Sequence, residues 1–220
     1  MALSATAAAE MKAVQARCPM RAWQRRCKRA ADIAGSGLIL LAFAPVIAVI
    51  ALCIKLQDGG PIIHRRRVVG CKGEFDAFKL RSMRVDADEI LQRDSSLRTE
   101  FVENFKLKND PRVTPVGRVI RGLSLDELPQ LMNILRGEMS LVGPRMIAPE
   151  ELERFEEARW VFQQMKPGLT GYWQVYGRQE VSYKERVEME VFYAQNWSLL
   201  LDMKLLMKTP LRVLRGTGAY

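Results

Sequence analysis

The sequence predicts a mixed α/β chain, mostly helical with short strands, in which a membrane helix kinked at Pro45 precedes one globular domain. Three observations lead there. Leu38 to Leu56, LILLAFAPVIAVIALCIKL, is a 19-residue run whose single charge is Lys55, about the length of one helical passage through a bilayer core. Pro45 lies inside it, where the ring clashes with the preceding turn and a backbone donor is missing, so the helix bends. From Gly59 onward, charged amphipathic stretches alternate with short β-branched runs separated by Gly and Pro, the pattern of a compact core of helices and strands. Both flanks of the apolar run are basic, with Arg25, Arg26, Lys28 and Arg29 before it and Lys55, Arg65, Arg66 and Arg67 after it. Since Lys and Arg stay on the cytoplasmic side, equal flanks favour a run that enters the leaflet, bends and returns to the same side. An ordinary crossing and a buried core helix are the alternatives.

The other elements follow in order. Met1 to Glu10 is Ala-rich with no convincing cleavage site, and the apolar run starts too late for a secretory signal. Residues 1–28 read as a basic tail or interfacial helix, 29–57 as the re-entrant membrane helix and 58–220 as the domain that carries the chemistry. Asp58-Gly59-Gly60-Pro61 ends the helix. Ile62-Ile63, Val68-Val69 and Phe75 to Leu80 read as short strands. Val85 to Phe105 reads as one charged helix with Ile90, Leu91, Leu97, Phe101 and Val102 on its packed face. After the Asn109-Asp110-Pro111 turn comes a basic segment, Arg112 to Arg121. Leu131 to Leu135 is helical, Met139 to Val142 a strand and Pro149 to Gln164 a second charged helix. Lys166 to Gly171 is a dense turn cluster, with Tyr172, Trp173 and Tyr176 close behind. Glu185 to Asn196 is helical, and Leu199 to Lys208 forms a helix that stops before Pro210 and lies on the membrane plane or against the core.

Composition narrows the chemistry. Lys and Arg outnumber Asp and Glu by 34 to 25, a net charge of +9, which suits nucleic acid, anionic lipid or a phosphorylated substrate. The apolar run selects lipid, since polybasic flanks gain attraction from anionic headgroups and a nucleic-acid binder has no need of the run. Cys18, Cys27, Cys53 and Cys71 form no CxxC pair, so neither a disulfide framework nor a zinc site is suggested. His64 is the single histidine, which sets aside a His-dependent triad and leaves catalysis to carboxylates and cations.

Asp126-Glu127 is the leading catalytic candidate. Ser124-x-x-Glu127 also has the form of a capping box, with Asp126 favourable in a first helical turn. Pro129 argues against that: in a helix begun at Ser124 it would fall in the second turn, whereas a helix begun nearer Leu128 leaves both carboxylates free at its mouth. Arg112, Arg118 and Arg121 precede the pair and Arg145 follows in a Gly-Pro-Arg turn, each able to grip phosphate bidentately. Two carboxylates repel a pyrophosphate, so a bridging divalent ion is expected, and Mg²⁺ prefers carboxylate plus phosphate oxygens.

The series Phe78-Lys79-Leu80-Arg81-Ser82-Met83, Asp110 to Arg118, Arg121-Gly122-Leu123-Ser124-Leu125-Asp126-Glu127-Leu128-Pro129-Gln130-Leu131, Met139 to Arg145, Lys166 to Gly171 and Leu201 to Lys204 resembles the bacterial sugar transferase family, the monotopic polyprenyl-phosphate phosphoglycosyl transferases. The resemblance runs from about Arg29 to the C-terminus. It implies a re-entrant helix, a cytoplasmic-face active site on the bacterial inner membrane with interfacial amphipathic helices, and a catalytic sugar-phosphate transferase domain over 58–220. It implies transfer of a sugar 1-phosphate from a UDP-sugar to polyprenyl (undecaprenyl) phosphate with release of UMP, in exopolysaccharide or other glycoconjugate assembly. Asp126 then corresponds to the nucleophile, Glu127 to its partner carboxylate, and Arg121 and Arg145 to the phosphate-binding arginines. Asp126 and Glu127 are also the candidates to hold Mg²⁺, with deprotonation of the acceptor the other role open to Glu127. Arg112, Lys79, Pro167, Gly168, Thr170 and Gly171 join the substrate-binding candidates, the loop being able to contact nucleotide or sugar. Membrane phospholipids are the remaining partner, nucleic acid is not one, and the choice between monomer and homo-oligomer stays open. Departures from the family pattern are Ala44 before Pro45, Val68 for Arg, Met146 for the proline after Gly-Pro-Arg, and Glu190 for Asp. Two other readings remain: a membrane-anchored basic interaction module in which the acids cap a helix, and a metal-dependent hydrolase acting on a lipid diphosphate.

Overall fold

A computed structural model of the chain describes residues 20–104, 107, 110–177 and 181–214. The expected tail over 1–19, Phe105 at the end of the first charged helix and Asn109 of the turn lie outside these residues. α1 (Ala22–Asp58) is one continuous helix of 37 residues, about 55 Å along a straight axis. Among the described residues it is the one helix long and apolar enough to cross a membrane. It ends where expected: Gly59 takes φ 70 and its N–H bonds to the Lys55 carbonyl, a left-handed cap that glycine adopts without steric cost.

Both ends of α1 are tied to the domain that follows. Near the start, Lys28 Nζ donates to Asp202 Oδ2 (2.5 Å) and the Val142 carbonyl (2.8 Å), and Arg29 donates to the Ile134 and Leu135 carbonyls. Asp32 is buried and accepts from Ser140 Oγ and Leu141 N, both at 2.9 Å. At the other end, the Asp58 carboxylate pairs with both terminal nitrogens of Arg81, and Ile54 is buried with Leu80 and Ile120. Between these ties, Leu38, Leu41, Val49 and Leu52 are each more than half exposed.

The three short strands expected after α1 form a single antiparallel hairpin, β1 (Ile63–Gly70) and β2 (Gly73–Leu80), paired along its whole length. The charged run His64 to Arg67 hid the first strand, because Arg67 is satisfied across the ladder by Glu74 and Asp76 in place of burying an apolar face. The first charged helix is two, α2 (Ala87–Arg93) and α3 (Ser95–Asn104). Asp94 divides them: its Oδ1 accepts from the Ser96 and Leu97 N–H groups, starting a new helix rather than continuing the old one. The basic segment is helical as α4 (Pro115–Gly122), capped by the Thr114 hydroxyl accepting from Gly117 N, with Pro115 first in the helix. A 3-10 turn (Leu125–Glu127), α5 (Gln130–Arg136) and β3 (Ser140–Val142) follow.

The second charged helix is instead a 3-10 stretch over Pro149–Arg159, broken at Glu156 (φ 41), and then α6 (Trp160–Gln164). PEELERFEEAR buries a single side chain, Phe155, too little to hold an α-helical face against the core. β4 (Gly168–Thr170) pairs in parallel with β3, followed by α7 (Tyr172–Tyr176), α8 (Tyr183–Gln195) and α9 (Leu199–Leu214). α9 does not stop before Pro210 but runs through it. Pro210 and Leu206, the residue whose backbone partner it removes, both lie on the exposed side, so the lost bond is not a buried defect.

The main core gathers Leu131, Ile134, Met139, Ile147, Phe155, Phe162, Tyr193 and Leu205. At its edge the two glycine motifs meet. A Cβ on Gly143 would stand 2.3 Å from the Lys166 carbonyl oxygen, and one on Gly168 would stand 2.1 Å from Gly143 N. The loop bearing Arg145 therefore lies directly on β4. α8 holds the same loop from behind: fully buried Glu190 accepts from Arg145 N at 2.9 Å, while its second oxygen has no partner among the described residues.

Burial pushes the Glu190 carboxyl up to about 7, against the pull of the Arg145 N–H and the Arg186 and Arg145 charges. A folded-state value above the ordinary 4.5 means that the native chain binds the extra proton, so the stability this group contributes is fully present below about pH 4.5 and is lost as pH rises through about 7. Glu190→Gln keeps the acceptor and removes the ionisation. From pH 5 to 8 the wild type should lose on the order of 3 kcal/mol relative to Glu190→Gln, read as diverging unfolding temperatures in one detergent. Parallel curves would contradict this account.

Candidate active site

Asp126 and Glu127 come forward because the capping box does not form. Ser124 sits at φ 54, ψ 22 and its side chain caps nothing, a conformation unusual outside glycine and costly without surrounding support. α5 starts only at Gln130, with Pro129 at its mouth, so both acids ride on the tight turn between α4 and α5. This removes the premise of the capping alternative.

The two carboxylates are not equivalent. Glu127 Oε1 accepts from Lys79 Nζ at 2.7 Å and from Arg145 Nη2 at 3.1 Å. Asp126 is 7 % exposed and accepts no hydrogen bond among the described residues; its nearest cation is Lys79 Nζ at 3.8 Å. Burial pushes Asp126 up despite Lys79, and the charge of Glu127 adds to the rise. Burial acts on Glu127 in the same direction, but Arg145 and Lys79 overcome it and hold Glu127 well below the usual carboxylate range.

Three of the expected cations converge here. Lys79 comes from β2, Arg145 from the loop after β3, and Arg121 from α4, where its Nε donates to Ser82 Oγ at 2.8 Å; the charge of Asp126 acts on Arg121. Arg112 stands behind them. It is buried, with Nε and Nη2 each 2.8 Å from an Asp110 oxygen, and it fixes the turn leading into α4. Arg118 is exposed and forms no ion pair among the described residues. Pro167, Gly168, Thr170 and Gly171 form the bed under the Arg145 loop: the Pro167 carbonyl accepts from Ser140 N, Gly168 N donates to the Pro144 carbonyl, and the Thr170 carbonyl accepts from Gly143 N. Gly168, Thr170 and Gly171 are buried.

Sequence reasoning missed Arg66, Glu151 and Arg186. Arg66 Nη2 lies 3.2 Å from Glu151 Oε1, and Arg186 Nη1 lies 3.5 Å from Glu151 Oε2. The period of two along a strand was the available signal, since the register His64↔Lys79 and Arg66↔Ala77 puts Arg66 and Lys79 on one face. Nothing in the sequence joined residues 66, 151 and 186. Of the aromatics after the turn cluster, Trp173 borders the site, with Arg145 and Arg186 at 6.0 and 4.7 Å from its ring. Tyr172 and Tyr176 pack on each other, and Tyr172 on Phe192.

Among the described residues no group of three or more His, Cys, Asp or Glu side chains is assembled for a metal. Mg²⁺ does not require one, because it binds through one or two carboxylates, substrate phosphate and water. Asp126, without hydrogen bonds, and Glu127 Oε2, outside the Lys79 and Arg145 contacts, fit that donor set.

Comparison with known proteins identifies the family. The family model described as "Bacterial sugar transferase" matches residues 23–216. An undecaprenyl-phosphate galactose phosphotransferase of Salmonella typhimurium is 47 % identical over 202 residues, covering 89 % of this chain and 42 % of that protein. The exopolysaccharide production protein ExoY of Rhizobium meliloti is 43 % identical over 198 residues, 88 % of each chain. An uncharacterized sugar transferase of Haemophilus influenzae is 45 % identical over 201 residues, 89 % of this chain and 42 % of that one. The chain thus spans less than half the length of two of these relatives and most of the third. The match runs from the start of α1 through α9 and takes in every element that builds the carboxylate site, so the chain belongs to the bacterial sugar transferase family.

Proposed function

We propose that this chain transfers a sugar 1-phosphate from a UDP-sugar to polyprenyl phosphate, releasing UMP, by way of a phosphosugar acyl phosphate on Asp126. The names of relatives support the substrates: one is an undecaprenyl-phosphate galactose phosphotransferase, another a UDP-glucose:undecaprenyl-phosphate glucose-1-phosphate transferase. The observation that carries the mechanism is the asymmetry of the pair. Asp126 is desolvated and accepts no hydrogen bond, as a nucleophile requires, while Glu127 is fixed between Lys79 and Arg145.

An Asp126 oxygen attacks the sugar-bearing β-phosphorus of the donor. The bond from that phosphorus to the bridging oxygen breaks, UMP leaves with the electron pair, and an acyl phosphate carrying the sugar remains. A phosphate oxygen of the lipid then attacks the same phosphorus, the acyl oxygen leaves, and Asp126 is restored as the carboxylate. An acyl phosphate keeps the transfer potential of the pyrophosphate, so both steps are reversible, and nucleotide and lipid need not occupy the site together. Glu127 keeps Lys79 and Arg145 oriented before substrate arrives, and with Arg121 they offset the charge that shifts onto the phosphoryl oxygens. Mg²⁺ held by Asp126 and Glu127 would add neutralisation of phosphate charge.

The membrane arrangement belongs to the same proposal: α1 enters the cytoplasmic leaflet of the inner membrane, bends at Pro45 and returns, keeping 58–220 on the cytoplasmic face. In support, the two ends of α1 are tied to one domain while its middle is exposed and apolar. α9 suits the membrane plane, with Leu200, Met203, Met207 and Leu211 exposed along one stripe, Leu205 buried opposite, and Lys204 and Lys208 alongside.

Incubation with UDP-sugar and no lipid, followed by intact-protein mass measurement, should show one sugar-phosphate adduct on the wild type and none on Asp126→Asn. An adduct that survives this substitution would sink the covalent route. For the topology, native Cys27 and a cysteine at Gln57, both at exposed positions, should react with an impermeant maleimide from the same side of sealed vesicles. Labelling from opposite sides would establish a crossing helix and leave the chemistry untouched.

A further inference from the structure

We propose that Arg66 and Arg186, joined through Glu151, form a second phosphate clamp beside the dyad that takes the nucleotide-side phosphate of the donor, with Glu151 as the counter-ion the donor displaces. This rests on the transfer reaction proposed above and assigns residues that reaction leaves unused.

The ion pairs of Glu151 are those of a placeholder, and its other side-chain contact is a long one, Ala148 N donating to Oε1 at 3.4 Å. Each guanidinium offers it one nitrogen, at 3.2 Å from Arg66 and 3.5 Å from Arg186, where a committed arginine–carboxylate pair is bidentate and shorter. Arg112 on Asp110, with two bonds of 2.8 Å, shows the committed form in this same chain. The Nε of Arg186 is buried and has no partner among the described residues, a donor that costs free energy until something accepts from it.

The charges point to a dianion. Arg66, Lys79, Arg121, Arg145 and Arg186 share three carboxylates, Asp126, Glu127 and Glu151, and Arg66 feels the charges of Glu127 and Glu151 and of Arg145 and Arg186. Three guanidinium groups crowded at the edge of the core repel one another, and the surplus of two positive charges matches the two negative charges of a diphosphate diester.

Placement selects the donor over the lipid phosphate. Arg121 lies on α4, which packs through Ile120 on Ile54 near the end of α1, the side from which a lipid carried along that helix arrives. Arg66 and Arg186 meet instead at Glu151, and the Arg186 guanidinium lies 4.7 and 5.4 Å from the Trp173 and Tyr183 rings. Aromatic faces beside two guanidinium groups suit a nucleotide and offer nothing particular to a prenyl chain.

The test uses the full chain in detergent micelles at low salt, titrated with UDP in one arm and a short-chain prenyl phosphate in the other. Arg66→Gln, at a half-exposed position, should weaken UDP about tenfold, the loss expected for one charge-assisted contact, and leave prenyl phosphate affinity unchanged, which also reports an intact fold. Glu151→Gln frees both guanidinium groups and should tighten UDP. Unchanged UDP affinity in Arg66→Gln, weaker UDP binding in Glu151→Gln, or a loss confined to prenyl phosphate would each overturn the clamp while the transfer reaction stands. A wild type that binds prenyl phosphate but no UDP would bring down the donor assignment and the clamp together.

Discussion

The attachment of α1 to the domain at both ends is the constraint on which the rest of the structure depends. Its first turns are held by groups that could not be left alone in a dry interface. Arg29 fills the last carbonyls of α5, Asp32 takes the Ser140 hydroxyl and the Leu141 N–H, and Lys28 meets Asp202. Asp202 is satisfied again by the Tyr193 hydroxyl at 2.7 Å and Trp197 Nε1 at 3.1 Å. Such a network is costly when any member is missing and rigid when all are present. The elements it grips are those that build the site: α5 follows the dyad directly, and β3 leads into the Arg145 loop. The position of the apolar helix and the geometry of the carboxylates are therefore set by the same contacts.

Within the site, the adjacency of two acids is resolved by unequal pairing. One carboxylate beside two cations remains ionised at every working pH, and the other, buried and without hydrogen bonds, becomes the more basic of the two. Glu127 also keeps Lys79 and Arg145 from repelling each other before substrate is bound. A preorganised cation pair of this kind stabilises shifting phosphoryl charge without having to be assembled during the reaction. The strained Ser124 belongs to the same device, because a relaxed cap there would carry the acids into α5 and away from Lys79.

The long apolar helix, its end at Gly59, the β3 strand and the adjacent pair Asp126 and Glu127 were legible in the sequence, since each rests on local composition or on a contiguous motif. The misreadings share a cause. His64 to Arg67 did not look like a strand because its charges are met by partners outside the run, Arg67 by Glu74 and Asp76 across the hairpin and Arg66 by Glu151. Val85 to Phe105 looked like one helix because Asp94 acts through its own side chain on the next turn, and Pro149 to Gln164 looked like one because helical periodicity does not register a break at Glu156. Pro210 was taken as a stop, although at an exposed turn it costs little. Glu151 and Arg186 were invisible for a different reason: three charges separated by 85 and 35 positions carry no pattern until the fold brings them together.

The departures from the family pattern then sort by position. Val68 has no exposed surface and Met146 is 3 % exposed, both inside the main core, so a larger or polar side chain at either would act on packing and reach substrate only through the backbone. Glu190 acts one step closer, through the N–H of Arg145. The glycine bed formed by Gly143, Gly168 and Gly171 leaves no room for any side chain, which fixes the distance between the Arg145 loop and β4. Freedom to suit a particular donor is left to side chains that border the site from outside this bed, namely Arg66 on β1, Trp173 on α7, and Tyr183 and Arg186 on α8. These lie on the hairpin and on the helices after β4, where a substitution changes the border of the site without moving Asp126 or Glu127.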